Sequence, residues 1–430
     1  MKNRTLRRAA ETLVLLLIAA MALLLAAGLH QHEPDEALAA LSTGWYQLTD
    51  GVRRDVTLPA TLPAEPGQTL TLYNDTLTDS DGGKVLSARG VEYDIEIRAG
   101  ETLLYRYEDN AFPKNAQMKG RLWADAELPD NIGGQTLRLT LTPLSGRTVA
   151  LAAPVLGTAP AVTGHHIQSS LFSIGMMLAM LVLAVLALLI FFYMSFFGIR
   201  ELRFLDVTVF LLLCSLWCLT DSALYQIYGR DGAAGSVISF YAFMTMPVPM
   251  VHFVRNTVSG RLRLVPDVCI ALFCANALAQ GAAYRLLGVP FIAMLPLTHL
   301  LLTAGVAAML TVLLRSYRDK PAPQLRLRIA AFAALGAFGV AALVLYGLLH
   351  IYWYDTVFQF GVLLFIILLL YGLIGQAAGD MRFHMEHRIS HQMQREDRMT
   401  GLPNRRAFEE YTRNLAANMG AMIPDGYGLM

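Results

Sequence analysis

"SSLFSIGMMLAMLVLAVLALLIFFYMSFFGIR", Ser169 to Arg200, carries no charge until its last residue. A run of this length covers the roughly 30 Å hydrocarbon layer of a bilayer, for which about 20 apolar residues suffice. Reading onward from it, further apolar stretches of similar length recur, giving spans near 168–197, 204–227, 236–254, 266–287, 290–314, 329–350 and 355–376. The whole composition agrees: 55% of the 430 residues are hydrophobic, 16% are charged, and the mean hydropathy is +0.45. Soluble chains average about 25% charged residues. The sequence therefore describes a multidomain membrane protein built around an all-α seven-helix transmembrane bundle over residues 166–378. Its formal net charge of +1 gives no electrostatic basis for nucleic acid as a partner.

Orientation follows from the loops. If the first of the seven spans enters from outside, the inner loops hold Arg200, Arg203, Arg255, Arg261, Arg263, Arg315, Arg318, Lys320, Arg326 and Arg328. The outer loops hold only Arg230 and Arg285. Positive charge accumulates on the cytoplasmic side, so the chain is expected in the plasma (inner) membrane with its C-terminus inside. Gln280 and His299 lie deepest within the spans, while Asp221, Arg285, His350 and Asp355 lie near outer ends. No charged pathway or half-helix repeat joins them into a transporter or channel. Pro247 and Pro249 in "YAFMTMPVPM" should kink the third span, because each removes an N–H from the ladder. Cys214 and Cys218 share a helix face at i, i+4, but two thiols make an incomplete metal site. They read as packing residues, as do Cys269 and Cys274 in their apolar runs.

The N-terminal 30 residues place Lys2, Arg4, Arg7 and Arg8 before an apolar run from about Leu13 to Leu29. That run exceeds the ~7–15 residues of a signal core and fits an uncleaved anchor better than a cleaved signal; both put the next segment outside. Residues 31–165 change period. "GVEYDIEIRAG" alternates Val91, Tyr93, Ile95 and Ile97 with Glu92, Asp94, Glu96 and Arg98, and "QTLRLTLTPL" does the same with Leu137, Leu139 and Leu141. Turn signals "DSDGG", "RAGE" and "DNIGG" separate such runs, and no convincing helix interrupts them. An extracytoplasmic antiparallel β-sandwich without disulfides is expected, sensing an unknown extracytoplasmic or membrane ligand. Trp45, Tyr73, Tyr105 and Trp123 are either core residues or a stacking platform for a sugar.

After the last span, "GQAAGDMRFHMEHRISHQMQREDRM" lacks Pro and, past Gly379, lacks Gly. It should carry a helix out of the membrane, with residues 379–396 as a cytoplasmic signalling helix. Met381, Met385, Ile389 and Met393 give it one apolar stripe suited to pairing two copies. His384, His387 and His391 share another face, read as solvated, since no carboxylate or Cys completes a metal site there. A phospho-accepting His391 is disfavoured, because Gln392 follows it where an acidic residue is expected and no nucleotide-binding domain comes after.

Beyond this helix, Thr400-Gly401-Leu402-Pro403 forms a break, and Asn404 is a good N-cap for a new helix. Phe408, Tyr411, Leu415 and Met419 form that helix's apolar stripe, and "YGLM" at 427–430 reads as the start of a buried strand. "DRMTGLPNRRAF", Asp397 to Phe408, resembles the D-x-L-T-G-L-x-N-R-R-x-F opening of the GGDEF domain of diguanylate cyclases. The matching positions are Asp397, Thr400, Gly401, Leu402, Asn404, Arg405, Arg406 and Phe408, with Met399 where Leu is usual. The layout of residues 40 to 378 also resembles, loosely, the bacterial seven-transmembrane receptors with diverse intracellular signalling modules.

The resemblance implies two paired domains that condense two GTP molecules to cyclic di-GMP, each with two divalent ions, Mg²⁺ or Mn²⁺. It implies a homodimer joined through the linker helix and the GGDEF domains. The metal-binding Asp, the guanine-contacting segments and the G-G-[DE]-E-F turn have no counterpart here, so no catalytic, cofactor-binding or metal residue carries over. Only 33 residues follow Asp397, whereas a domain needs on the order of 100. Residues 397–430 are thus expected to be the first helix of a truncated α/β GGDEF domain, without activity as written. The alternatives are a non-enzymatic seven-transmembrane receptor or signalling module and, less favoured, a transporter.

Overall fold

The computed structural model describes residues 38–49, 51–65, 67–91, 93–106, 121–143, 148–220, 222–228, 232–347, 354–395, 408–409 and 411–415. The N-terminal anchor expected at 1–30 lies outside the described residues.

The described residues between 38 and 157 form the strands β1 (Leu38–Ala40), β2 (Trp45–Thr49), β3 (Val52–Val56), β4 (Ala60–Pro63), β5 (Leu70–Asn74), β6 (Val85–Val91), β7 (Tyr93–Ala99), β8 (Thr102–Arg106), β9 (Arg121–Glu127), β10 (Leu137–Pro143), β11 (Thr148–Leu151) and β12 (Val155–Gly157). They pair antiparallel in sheets of order β3-β2-β5-β10-β7-β8 and β1-β12-β6-β9, with β4 and β11 as a separate pair. The period of two in β10 buries Leu137, Leu139 and Leu141 while Arg138, Thr140 and Thr142 turn away. Ile95 and Ile97 of β7 lie opposite Leu141 and Leu139 in register, so one strand's buried face continues the next. Leu86, Ala88, Ala124 and Ala126 of the smaller sheet enter the same core, which is the burial a two-layer arrangement requires. Gly51, at φ 78°, turns the chain between the paired residues Thr49 and Val52, a backbone region closed to most side chains.

The aromatic platform considered from sequence does not assemble. Trp45 and Tyr105 belong to the core, Tyr73 stacks on Tyr46 at 5.5 Å, and Trp123 lies against helical residues after the sheets. Residue 165, the expected end of the extracytoplasmic domain, falls within a helix. Helix α1 (Ala159–Ser169) crosses it, started by Pro160 in its first turn. Its polar stretch "TGHHIQS" has no apolar period and so reads as loop.

Among the described residues the chain continues through α2 (Leu171–Phe196), α3 (Arg203–Thr220), α4 (Ala223–Tyr228), α5 (Gly232–Thr245), α6 (Pro247–Arg255), α7 (Leu264–Ala282), α8 (Phe291–Asp319), α9 (Pro323–Gly347) and α10 (Tyr354–Arg395). Seven stretches of this series are long and apolar enough to cross a membrane. Exposed Val182, Leu189 and Phe196 on α2 suit lipid rather than water. The second expected span stops early, at Thr220, where the Ser222 hydroxyl donates to the Leu219 carbonyl at 2.7 Å, and the chain restarts as α4. The third is divided between α5 and α6 at Met246, directly before Pro247, as the missing proline N–H demands. Gln280 is buried and bonds Asn276 and Thr298, each at 2.8 Å, tying α7 to α8. His299 meets the ring of Phe243 edge-on. Cys214 and Cys218 are buried and form no disulfide.

The last span is the most enclosed of the seven. It packs closely on α9 because Gly361 has no side chain. A Cβ there would stand 2.9 Å from the Phe338 Cγ and closer still to its Cβ, an atom that moves only with the backbone. Gly361→Ala is therefore expected to cost about 1–3 kcal/mol. Gly339→Ala, in open space on the same pair of helices, should leave the thermal transition of the purified protein unchanged or raise it slightly.

Candidate functional site

Two polar clusters stand at opposite ends of the helical bundle. The first joins it to the sheets. In the β6–β9 register Ser87 lies opposite Asp125 and Arg89 opposite Trp123, which places all four residues on one sheet face. Helix α1 covers that face with His166, which is buried although polar. Its Nε2 lies 2.9 Å from the Ser87 hydroxyl, which in turn donates to Asp125 Oδ1 at 2.5 Å. The imidazole stacks on Trp123 with ring centroids 4.3 Å apart, while His165 meets the same indole edge-on and the Arg89 guanidinium lies 5.5 Å from it. Burial lowers the His166 pKa, with the Asp125 carboxylate opposing and His165 assisting. Burial lowers that of His165 too, with Arg89 assisting. Neutral His166 then donates from Nε2 to Ser87, which passes the polarisation to Asp125.

Ser, His and Asp in contact invite comparison with a hydrolase triad. That reading fails on geometry: Ser87 and Asp125 both approach the same ring nitrogen, and Ser87 is already bonded to the carboxylate. The cluster is a junction. Its other half comes from the bundle, where Gln226 of α4 accepts from the Trp123 N–H at 3.0 Å and donates to the Trp123 carbonyl at 2.7 Å. Since β9 is the edge of its sheet, this amide takes the place of a further strand residue. Trp123 is thereby held by the segment leading into the first span and by the connection between the second and third.

At the far end Glu201 forms a bidentate ion pair with Arg203, and both are largely buried. Arg203 Nη1 also donates to Gln376 Oε1 at 3.1 Å, and Arg328 Nη2 donates to the same oxygen at 2.7 Å. Burial raises the Glu201 pKa, but the hydrogen bonds and charge of Arg203 outweigh it and hold the carboxyl below its ordinary value. One amide of α10 thus clamps α3 and α9. Close by, Asp206 bonds His252 at 2.7 Å and Asn256 at 3.1 Å, tying α3 to α6. The sequence reading counted Arg203 and Arg328 as loop charges. The structure corrects this: both lie within helices and are buried, their guanidiniums satisfied by Glu201, Gln376 and the ring of Phe253.

Of the residues resembling a GGDEF opening, Asp397, Thr400, Gly401, Leu402, Asn404, Arg405 and Arg406 lie outside the described residues. Phe408 is helical, and it, Tyr411 and Leu415 are all exposed. The backbone through His384, His387 and His391 is helical, while their side chains lie outside the described set. Among the described residues no group of His, Cys, Asp or Glu is arranged to hold a metal. No sequence signal led to the junction, since Ser87 and Asp125 are 38 residues apart and only strand register brings them together. No protein-family model, curated protein or solved structure matches the chain.

Proposed function

We propose that the chain is the sensory and membrane-spanning part of a bacterial receptor diguanylate cyclase. In this reading the sheet domain lies outside the inner membrane and the C-terminus inside. The observation that carries it is the continuity of α10. This helix runs 42 residues, Tyr354 to Arg395, from the most enclosed span to within two residues of Asp397, where the GGDEF-like opening begins. At about 1.5 Å per residue it is ~63 Å long, roughly twice a hydrocarbon layer. A displacement at its enclosed end is delivered outside the membrane without passing a flexible joint.

The coupling is mechanical and two-ended. A ligand or condition that shifts the sheets moves Trp123, and with it α1 and α4. The bundle then repacks around α10, which is gripped near its middle through Gln376. Two copies would pair along the Met381, Met385, Ile389 and Met393 stripe, so that a change in their crossing alters how two output domains meet. GTP and Mg²⁺ or Mn²⁺ belong to the complete output domain, whose metals would activate a 3′-hydroxyl for attack on an α-phosphate.

The test is to express the native gene, including the sequence downstream of codon 430, in membranes supplied with GTP and Mg²⁺. Cyclic di-GMP formation, together with a downstream G-G-[DE]-E-F segment, is the expected result. A native gene lacking that segment and making no cyclic di-GMP overturns the enzyme reading.

A further inference from the structure

We propose that the junction between the sheets and the bundle is a proton-responsive latch, with His166 as the group that takes the proton and the Trp123 contact as the part that releases. The inference draws on the receptor reading only for the side of the membrane that the latch faces. The latch itself stands on the geometry at α1.

The neutral arrangement is complete. Nε2–H of His166 has an acceptor in Ser87 Oγ, Ser87 has one in Asp125, and the flat face of the ring is taken by Trp123. A proton added at Nδ1 places a full charge on a ring that is only 3% exposed. Each group around it can be weighed. On β9, Asp125 favours the charge from 3.5 Å, but its side chain is 42% exposed and therefore screened. On β6, Arg89 lies against Trp123 and lowers the pKa of His165 rather than that of His166, and Ser87 is already committed. On α1 itself, His165 repels it once charged. On α4, Tyr225 has its ring against Gly235 and Gln226 is bound to Trp123, while β12 brings no titratable residue. Burial and the neighbouring His165 thus oppose one screened carboxylate.

The direction of linkage follows. The docked junction binds a proton less readily than an undocked histidine of ordinary pKa 6.5. Docking is therefore fully present above that value and is lost as pH falls through the lower value of the docked state. Histidine is the side chain suited to such a transition in the mildly acidic range. Releasing His166 from Trp123 frees α1, which leads into the first span, and leaves α4 as the remaining grip on β9. Acid outside the cell thereby becomes a change in how the sheets hold the bundle.

The experiment uses the full chain in lipid nanodiscs and reads the emission of Trp123 as the difference between wild type and Trp123→Phe, titrated from about pH 8 to about 4.5. A single transition below the ordinary imidazole value is expected, because a protonated imidazole in stacking distance quenches the indole and its departure changes the emission again. His166→Gln should abolish the transition and His165→Gln should retain it. Asp125→Asn, which removes the one favourable charge and disturbs the core less, should move the midpoint lower still. A flat wild-type titration, a transition that survives His166→Gln, or a midpoint unmoved by Asp125→Asn overturns the latch. None of these readings depends on cyclic di-GMP, so the receptor proposal and the latch fail separately.

Discussion

Replacing Trp45 by alanine is expected to remove about 3–5 kcal/mol from the stability of the sheet domain, a loss comparable to the whole stability of many domains. The indole is fully buried and lies on β2, one strand in from the edge of the six-stranded sheet. It fills space that backbone hydrogen bonds on both sides of β2, to β3 and β5, prevent from collapsing. Its Nε1 also donates to the Leu41 carbonyl at 2.7 Å. Truncation therefore leaves a cavity and takes a partner from that carbonyl at once. Trp45→Phe keeps most of the ring volume and loses only the donor, so it should cost distinctly less. Thermal unfolding of the full chain in detergent, followed by the β-sheet circular dichroism signal and by proteolysis within residues 38–157, distinguishes the two. Equal stability of Trp45→Ala and wild type would mean that this residue does not organise the core.

Trp45 also shows what kind of information the sequence carried. A tryptophan between Gly44 and Tyr46 belongs equally well to a core or to a ligand platform, and only sheet order decides. Where a pattern repeats, the reading was secure. Alternation in "EYDIEIRAG" and "RLTLT" became the neighbouring strands β7 and β10, and the apolar runs became seven long helices. A period records which face is buried, and burial is most of what sets an element. The polar clusters left no such trace. Arg203 and Arg328 sit in the sequence exactly as loop arginines do, at the edge of an apolar run, and their burial depends on Glu201 and Gln376 arriving from distant positions. The adjacent His165 and His166 before the first span carry no signal in the sequence, because nothing local distinguishes a histidine stacked on a tryptophan from one in water. The GGDEF-like opening is the reverse case. The resemblance rests on the sequence alone, and its residues up to Arg406 lie outside the described structure.

Gln376→Leu is expected to have the largest effect in the bundle, because one oxygen serves two buried cations. Leucine nearly matches glutamine in size, so packing around α10 is retained and only the acceptor disappears. Hydrogen bonds to charged groups are worth about 1.5–3 kcal/mol each. Two bonds sharing one acceptor suggest a total near 3 kcal/mol on the same basis. Arg203 keeps its hydrogen bonds to Glu201, whereas Arg328, 5% exposed, is left with the face of Phe253 and the charge of Glu201 without a direct bond to it. The cost should fall on Arg328, and the expected response is for α9 and α10 to part at this end until water reaches the guanidinium. Hydrogen exchange measured on the protein in nanodiscs should then rise at residues 370–383 and 323–332 while the α7–α8 pair stays protected. Gln376→Glu retains the acceptor and should leave exchange near the wild-type level, which separates loss of the bond from mere alteration of the position. Should Gln376→Leu leave exchange unchanged at both segments, the amide is not the grip on α10. The packing of α10 against α9 would then rest on its apolar contacts, chiefly the close approach of Gly361 to Phe338.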